Sequence, residues 1–183
     1  MKEIKYQVFI SSTYSDLINE RKQILDILLM ADCIPSGMES FVATDDAQFN
    51  VIKKVIDFCD YYILILGKRY GSVNEKTGIS YTEMEYDYAV EKGIPVLVFA
   101  LDESVEVDAD KMETDVIKQG KLEEFRNRAM QNRLVSVWKD AGDLGKKVAI
   151  SIMSAKSNIK RQGWHRGESV NQEALLQDLL NLK

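Results

Sequence analysis

Residues 80–93, SYTEMEYDYAVEKG, crowd four acids into one short helical pattern, and one of them falls where a helix normally keeps its apolar stripe. Advancing about 100° per residue puts Tyr81, Met84, Tyr88 and Ala89 on one arc with Glu85 inside it, whereas Glu83 and Asp87 fall on the solvated side. The same count over residues 16 to 31 sets Leu17, Ile24, Leu25 and Leu28 around Arg21. A lone buried charge costs several kcal/mol, so such groups are paired or stand at the wet edge of a cleft. Two chemistries follow. Glu85 could act as nucleophile or electrostatic stabiliser toward a sugar carbon that becomes oxocarbenium-like when a glycosidic bond breaks. Alternatively, Glu85 and Arg21 form a structural ion pair that clamps two helices.

The opening stretch VFISSTYSDLINERKQI leaves Ser11, Ser12 and Thr13 between a strand and a helix, where hydroxyls and free backbone N–H groups either cap the helix or hold a ribose or phosphate. In GKRYG, Gly67 and Gly71 would let a loop approach a ligand, with Arg69 on a phosphate and Tyr70 stacked on a base; equally, they are turn glycines.

The elements that must position these residues are legible as short β-branched or aromatic runs alternating with helical patterns. Strands are expected over 4–10, 33–38, 61–66, 95–100 and 134–138, and helices over 16–31, 46–58, 81–92 and 141–160. One or two covering helices are expected within 108–132, interrupted at Gly120. That alternation predicts an α/β fold of flavodoxin-like, three-layer type: a five-stranded, mainly parallel sheet in the order 2-1-3-4-5. Its ligand crevice lies where strands 1 and 3 end side by side, and Ser11, Ser12, Thr13, Gly67, Lys68, Arg69 and Tyr70 would rim it.

With 183 residues, 45% of them hydrophobic and 29% charged, the chain suits one globular domain over 1–167. Residues 168–183 carry leucines at 175, 176, 179, 180 and 182 and read as an amphipathic C-terminal helix or the start of a linker. No apolar run is long enough to cross a bilayer and the start lacks a signal-peptide pattern, so a cytoplasmic location with no membrane partner is expected. Cys33 and Cys59 are isolated and read as small buried hydrophobes, and His165 is the only histidine. Metal clusters and histidine-based nucleophilic pairs have almost nothing to be built from. The net charge of −5 conceals 10 Lys/Arg against 20 Asp/Glu in residues 1–110 and 14 against 9 in residues 111–183, a balance that argues against nucleic acid. Basic residues at 146, 147, 156, 160, 161 and 166 could touch nucleic acid or an acidic partner, with a solvated helix face the plainer reading. Neither G-x-x-x-x-G-K-[ST] nor a G-x-G-x-x-G after the first strand is present, which argues against a dinucleotide held in the dehydrogenase manner.

The segments VFISSTYSDLINER, GKRYG and SYTEMEYDYA followed by PVLVFA, with Trp138, Lys139, Asp143, Leu144, Val148, Gly163 and Trp164 further on, resemble the domain-of-unknown-function family DUF4062. That family is similar in fold to Toll/interleukin-receptor (TIR) domains and to nucleoside 2-deoxyribosyltransferases. The transferases carry Thr, two residues, a catalytic Glu, then Tyr-Ala three and four residues later. Thr82, Glu85, Tyr88 and Ala89 match that spacing, although Tyr81 stands where the transferases have Gly. NAD-hydrolysing TIR enzymes have their glutamate on the equivalent helix, and Asp60 resembles a sugar-binding aspartate of the transferases. The resemblance implies a TIR-like, nucleotide-binding module with catalytic Glu85, in which Ser11, Ser12, Thr13, Arg21, Asp60, Gly67, Arg69, Tyr70 and Thr82 bind the ligand. NAD or a related nucleotide would be substrate or ligand, no cofactor or metal is needed, and the setting would be prokaryotic anti-phage signalling. The alternative it implies is a non-catalytic adaptor or nucleotide sensor that associates with itself or with a C-terminal sensor domain.

Overall fold

A computed structural model describes residues 4–37, 46–131 and 134–167. The elements are β1 (Ile4–Ser11), α1 (Ile18–Met30), β2 (Cys33–Gly37), α2 (Asp46–Asp57), β3 (Tyr61–Leu66), α3 (Tyr81–Glu91), β4 (Val96–Leu101), α4 (Val116–Met130), β5 (Leu134–Trp138), α5 (Ala141–Asn158) and β6 (Trp164–His165). The five long strands are parallel in the order 2-1-3-4-5, as the alternation predicts. β6 is an addition, pairing antiparallel with Ile4 and Lys5 at the amino end of β1.

Strand alternation divides the core into two layers. Val8, Ile10, Tyr61, Ile63, Ile65, Leu97, Phe99 and Leu101 pack under α1 and α5. Phe9, Tyr62, Leu64, Leu66, Val96, Val98 and Ala100 face α2, α3 and α4. β3 and β4 are buried along their whole length, which explains why YYILIL and VLVFAL read as continuous apolar runs.

Three expectations are corrected. α1 begins at Ile18 and has no side-chain cap: Leu17 is its N-cap residue, and Asp16 instead receives the Thr13 hydroxyl at 2.9 Å. α4 runs unbroken through Gly120, whose position is exposed and open, so the glycine costs only about 1 kcal/mol of propensity against a helix start doubly bonded by Asp115. On α3 the buried stripe is Thr82, Glu85, Tyr86 and Ala89, rotated from the predicted arc. Tyr86 turns inward to meet Phe125 of α4 edge-on at 5.4 Å, while the Tyr88 hydroxyl reaches out to Asp57. Glu85 is on the inner face in both registers. The helix expected after residue 168 lies outside the described residues.

Asp60 stands at the amino end of β3, opposite the end where the crevice is expected. One carboxylate oxygen accepts the Gln7 backbone N–H at 2.9 Å and the other accepts Gly163 N–H at 3.0 Å. Gly163 has φ of 64°, and a Cβ there would stand 2.3 Å from Ile4 Cγ2, so only glycine allows the chain to come this close before β6. Asp60→Ala would leave two half-buried donors without their anionic acceptor and is expected to cost about 2 kcal/mol in urea denaturation.

Candidate functional site

The carboxyl ends of β1 and β3, adjacent at the point where strand order reverses, hold an unusual density of buried polar groups: Ser11, Ser12, Asp16, Arg21, Asn74, Ser80, Thr82 and Glu85. Ser11 closes β1 and donates its hydroxyl to Glu85 Oε2 at 2.6 Å. Ser12 belongs to the other side: its hydroxyl accepts from Arg21 Nη1 at 2.8 Å and donates to the Thr13 carbonyl at 2.5 Å. Arg21 Nη2 also reaches the Ile10 carbonyl at 3.3 Å. Glu85 is 0% exposed and Arg21 is 2% exposed, so the anion of α3 and the cation of α1 are both withdrawn from solvent around one serine pair.

Glu85 is brought here by α3, which starts at the Ser80 cap, whose hydroxyl accepts Glu83 N–H at 3.2 Å. The helix is braced from outside. Glu83 and Asp87, expected to be solvated, both pair with Arg128 of α4, whose guanidinium lies over the rings of Tyr86 and Phe125. Tyr70 is buried, at 2% exposure, and its hydroxyl donates to Glu83 Oε2 at 2.5 Å while accepting Ser80 N–H at 3.2 Å. The ring expected to stack on a base is therefore inside the fold, fixing the start of α3. Thr82 is buried one helical turn before Glu85 on the same face.

The two loops at this end touch. Gly71 has φ of 93°, and a Cβ there would stand 2.9 Å from Thr13 Cγ2, so the position tolerates no side chain. Gly67 faces Asp16, with a Cβ there falling 3.1 Å from Oδ2. Arg69 is partly exposed and bridges Ser15 Oγ and the Asp110 carbonyl, both at 3.3 Å. Ser11, Ser12, Thr13, Arg21, Gly67, Arg69, Thr82 and Glu85 thus gather at one end of the sheet. Asp60 does not join them.

Tyr62 was not foreseen. It stacks on Phe9 with ring centroids 5.5 Å apart, is fully buried, and its hydroxyl makes no hydrogen bond of ordinary geometry among the described residues. Burial first, and then the negative charge of Glu85, hold its phenol well above the usual range, so it stays protonated beside Ser11 and Glu85. The signal was the face parity of YYILIL: Tyr62 shares the α3 side with Leu64 and Leu66. Among the described residues there is no cluster of three or more His, Cys, Asp or Glu that could hold a metal ion, and no helix is long and apolar enough to cross a membrane.

No curated protein matches the chain. Among solved structures, the Clostridium botulinum CMP N-glycosidase BcmB is similar over 79% of this chain and 98% of that one, at 13% identity and a TM-score of 0.47. A prokaryotic SEFIR domain is similar over 70% of this chain and 94% of that one, at 15% identity and a TM-score of 0.38. A de novo designed Rossmann 2x3 fold protein is similar over 89% of this chain and 100% of that one, at 11% identity and a TM-score of 0.42. Similarity at this level bears on the fold alone. The family model for DUF4062 matches residues 7–153, which takes in every residue of the buried cluster, and the chain belongs to this family, a domain of unknown function.

Proposed function

We propose that this domain binds NAD or a related nucleotide and cleaves its N-glycosidic bond. The observation that carries the reading is the wholly buried Glu85 carboxylate, held by the Ser11 hydroxyl at the switch point of a doubly wound sheet. An apolar residue would pack α3 against the sheet without the desolvation cost of a buried anion, so the carboxylate is better explained by chemistry than by packing. In the reaction the bond between C1′ and the base nitrogen breaks and its electron pair leaves with the base. The ribosyl cation is stabilised by Glu85, and water adds to C1′ with loss of a proton, giving the free base and the ribosyl product. Ser12 and Thr13 hold ribose or phosphate, Arg69 binds phosphate at the rim, and Arg21 orients the cluster. The expected setting is the effector module of a prokaryotic immune protein.

A second reading rests on the burial itself. Glu85 and Arg21 are withdrawn from solvent and tied to serines of one strand end, as a structural clamp in a non-catalytic adaptor would be. Incubation with NAD, CMP and a panel of nucleotides and deoxynucleosides, followed by chromatography and mass spectrometry, separates the two. Free base is expected. If enforced oligomers also release none, the adaptor reading replaces the glycosidase.

A further inference from the structure

The helix α2 carries two apolar stripes, and the core uses one of them. Phe49, Ile52 and Ile56 are buried, as one face of an amphipathic helix should be. Val51, Val55 and, one residue past the helix, Phe58 make a second stripe at i, i+4 and i+7, in which Val51 is 42% and Phe58 64% exposed. Trp164 of β6, 46% exposed, stands against this stripe with its ring centroid 6.1 Å from that of Phe58. It is held there by the pairing of β6 with Lys5 and by the Asp60–Gly163 hydrogen bond just before it. Between Trp164 and α2, with Gln7 and Lys54 completing the walls, lies a groove of about 260 Å³. Ile34 of the edge strand β2, paired in register with Gln7, is exposed beside it. Large apolar side chains gathered in one concave patch mark an interaction surface, which singly scattered surface residues do not.

The chain itself supplies a candidate to cover it. The described residues end at Gly167, three positions after Trp164, so residues 168–183 follow directly from a wall of the groove. They carry leucines at 175, 176, 179, 180 and 182, an apolar stripe of helical period. Along a helix axis Leu175 to Leu182 spans about 10 Å, and Val51 to Phe58 spans about the same. Residues 165–174, when extended, reach roughly 30 Å, enough to turn the chain back along α2. Charge agrees with apolar fit. The segment holds Glu168, Glu173 and Asp178 against Lys183, whereas Lys54, Lys160 and Arg161 surround Phe58 and Trp164. The acids on that side are already engaged: Asp57 by Tyr88 and Lys92, and Asp60 by the Gln7 and Gly163 N–H groups.

We infer that residues 168–183 dock on this groove as an amphipathic helix antiparallel to α2, with the leucine stripe on Val51, Val55, Phe58 and Trp164. The contact closes the α2 face at the amino end of the sheet, opposite the end that holds Glu85, and it is independent of what Glu85 does.

The test is hydrogen–deuterium exchange of the full chain, read with acrylamide quenching of tryptophan fluorescence and with light scattering. The chain has two tryptophans and Trp138 is buried, so quenching reports on Trp164. Amides of residues 175–182 are expected to exchange at least about tenfold slower than in an unstructured peptide, at the mass of a monomer and at any protein concentration. Val51→Lys and Phe58→Ser, both at exposed positions, should abolish that protection, and Met153→Lys, exposed on α5 across the sheet, should leave it unchanged. Replacing Leu175, Leu176, Leu179 and Leu180 together by serine should raise quenching of Trp164 at least twofold, and this variant alters no described residue, so it gives the reading where Phe58→Ser fails to fold. Residues 175–182 exchanging as fast as free peptide, protection indifferent to both Val51→Lys and Phe58→Ser, or quenching unchanged in the serine variant would each overturn the inference. Protection that appears only with a doubled mass would also overturn it, by assigning the groove to a second copy.

Discussion

Arg21→Met is expected to lower the free energy of unfolding by about 3–5 kcal/mol, a loss usually reserved for large cavities in a core. The methionine keeps most of the aliphatic volume against Ile24 and Leu28, so packing is not the cause. The guanidinium is 2% exposed and spends its donors on Ser12 Oγ and the Ile10 carbonyl, so its removal leaves acceptors at the end of β1 without their charged partner. One serine away, the wholly buried Glu85 carboxylate loses the cation that sets its surroundings. Breaking one side of a buried charge pair or network costs far more than the intact network contributes, because the other charge stays behind. Arg21→Lys should recover part of the loss, since it restores charge but not the forked geometry that serves two acceptors. Urea denaturation with an unchanged m-value would check the figure. A cost below about 1 kcal/mol would mean that water already hydrates the cluster, which would favour an open ligand site over a clamp.

The parts of this molecule that the sequence makes legible are those governed by period and parity. YYILIL and PVLVFA are buried on both faces, so they read as central parallel strands, and strand order followed from alternation with helices. Glu85 and Arg21 were found because a charge inside an apolar arc stands out whichever tyrosine faces inward. The orientation of α3 itself was not legible. The periodicity count turns Tyr81 and Tyr88 inward and leaves Tyr86 out, whereas the inward choice of Tyr86 is made by Phe125, almost forty residues further on. Tyr70 was misjudged for the same reason: its burial depends on Glu83 and Ser80, contacts that spacing alone does not reveal. Asp60 shows the limit of motif carry-over. Its position at the start of a strand matched the pattern, yet at the amino end of β3 it binds the returning chain at Gly163, a partner 103 residues away.

Glu85→Gln is expected to leave the domain folded while lowering base release by about a thousandfold or more, the scale on which removal of one group that stabilises charge in the transition state acts. The amide oxygen can still accept the Ser11 hydroxyl, so the geometry at the end of β1 is preserved and stability should fall by no more than about 1–2 kcal/mol. What the substitution removes is the negative charge beside a developing ribosyl cation, and that charge matters most where water is excluded. Two companion variants show whether Glu85 acts through chemistry or through structure. Ser11→Ala deletes the 2.6 Å hydrogen bond to Oε2 and should reduce kcat about tenfold with little change in KM, because it disturbs the orientation of the carboxylate rather than substrate binding. Tyr62→Phe removes a buried hydroxyl without an ordinary partner, so it should be neutral or slightly stabilising in denaturation. If the same variant also lowers base release, the phenol donates into the reacting site; if it leaves release unchanged, Tyr62 serves only to stack on Phe9. A Glu85→Gln variant that unfolds, while Ser11→Ala and Tyr62→Phe stay silent in turnover, would assign the carboxylate to holding α3 against the sheet and turn the reading of this cluster toward the adaptor.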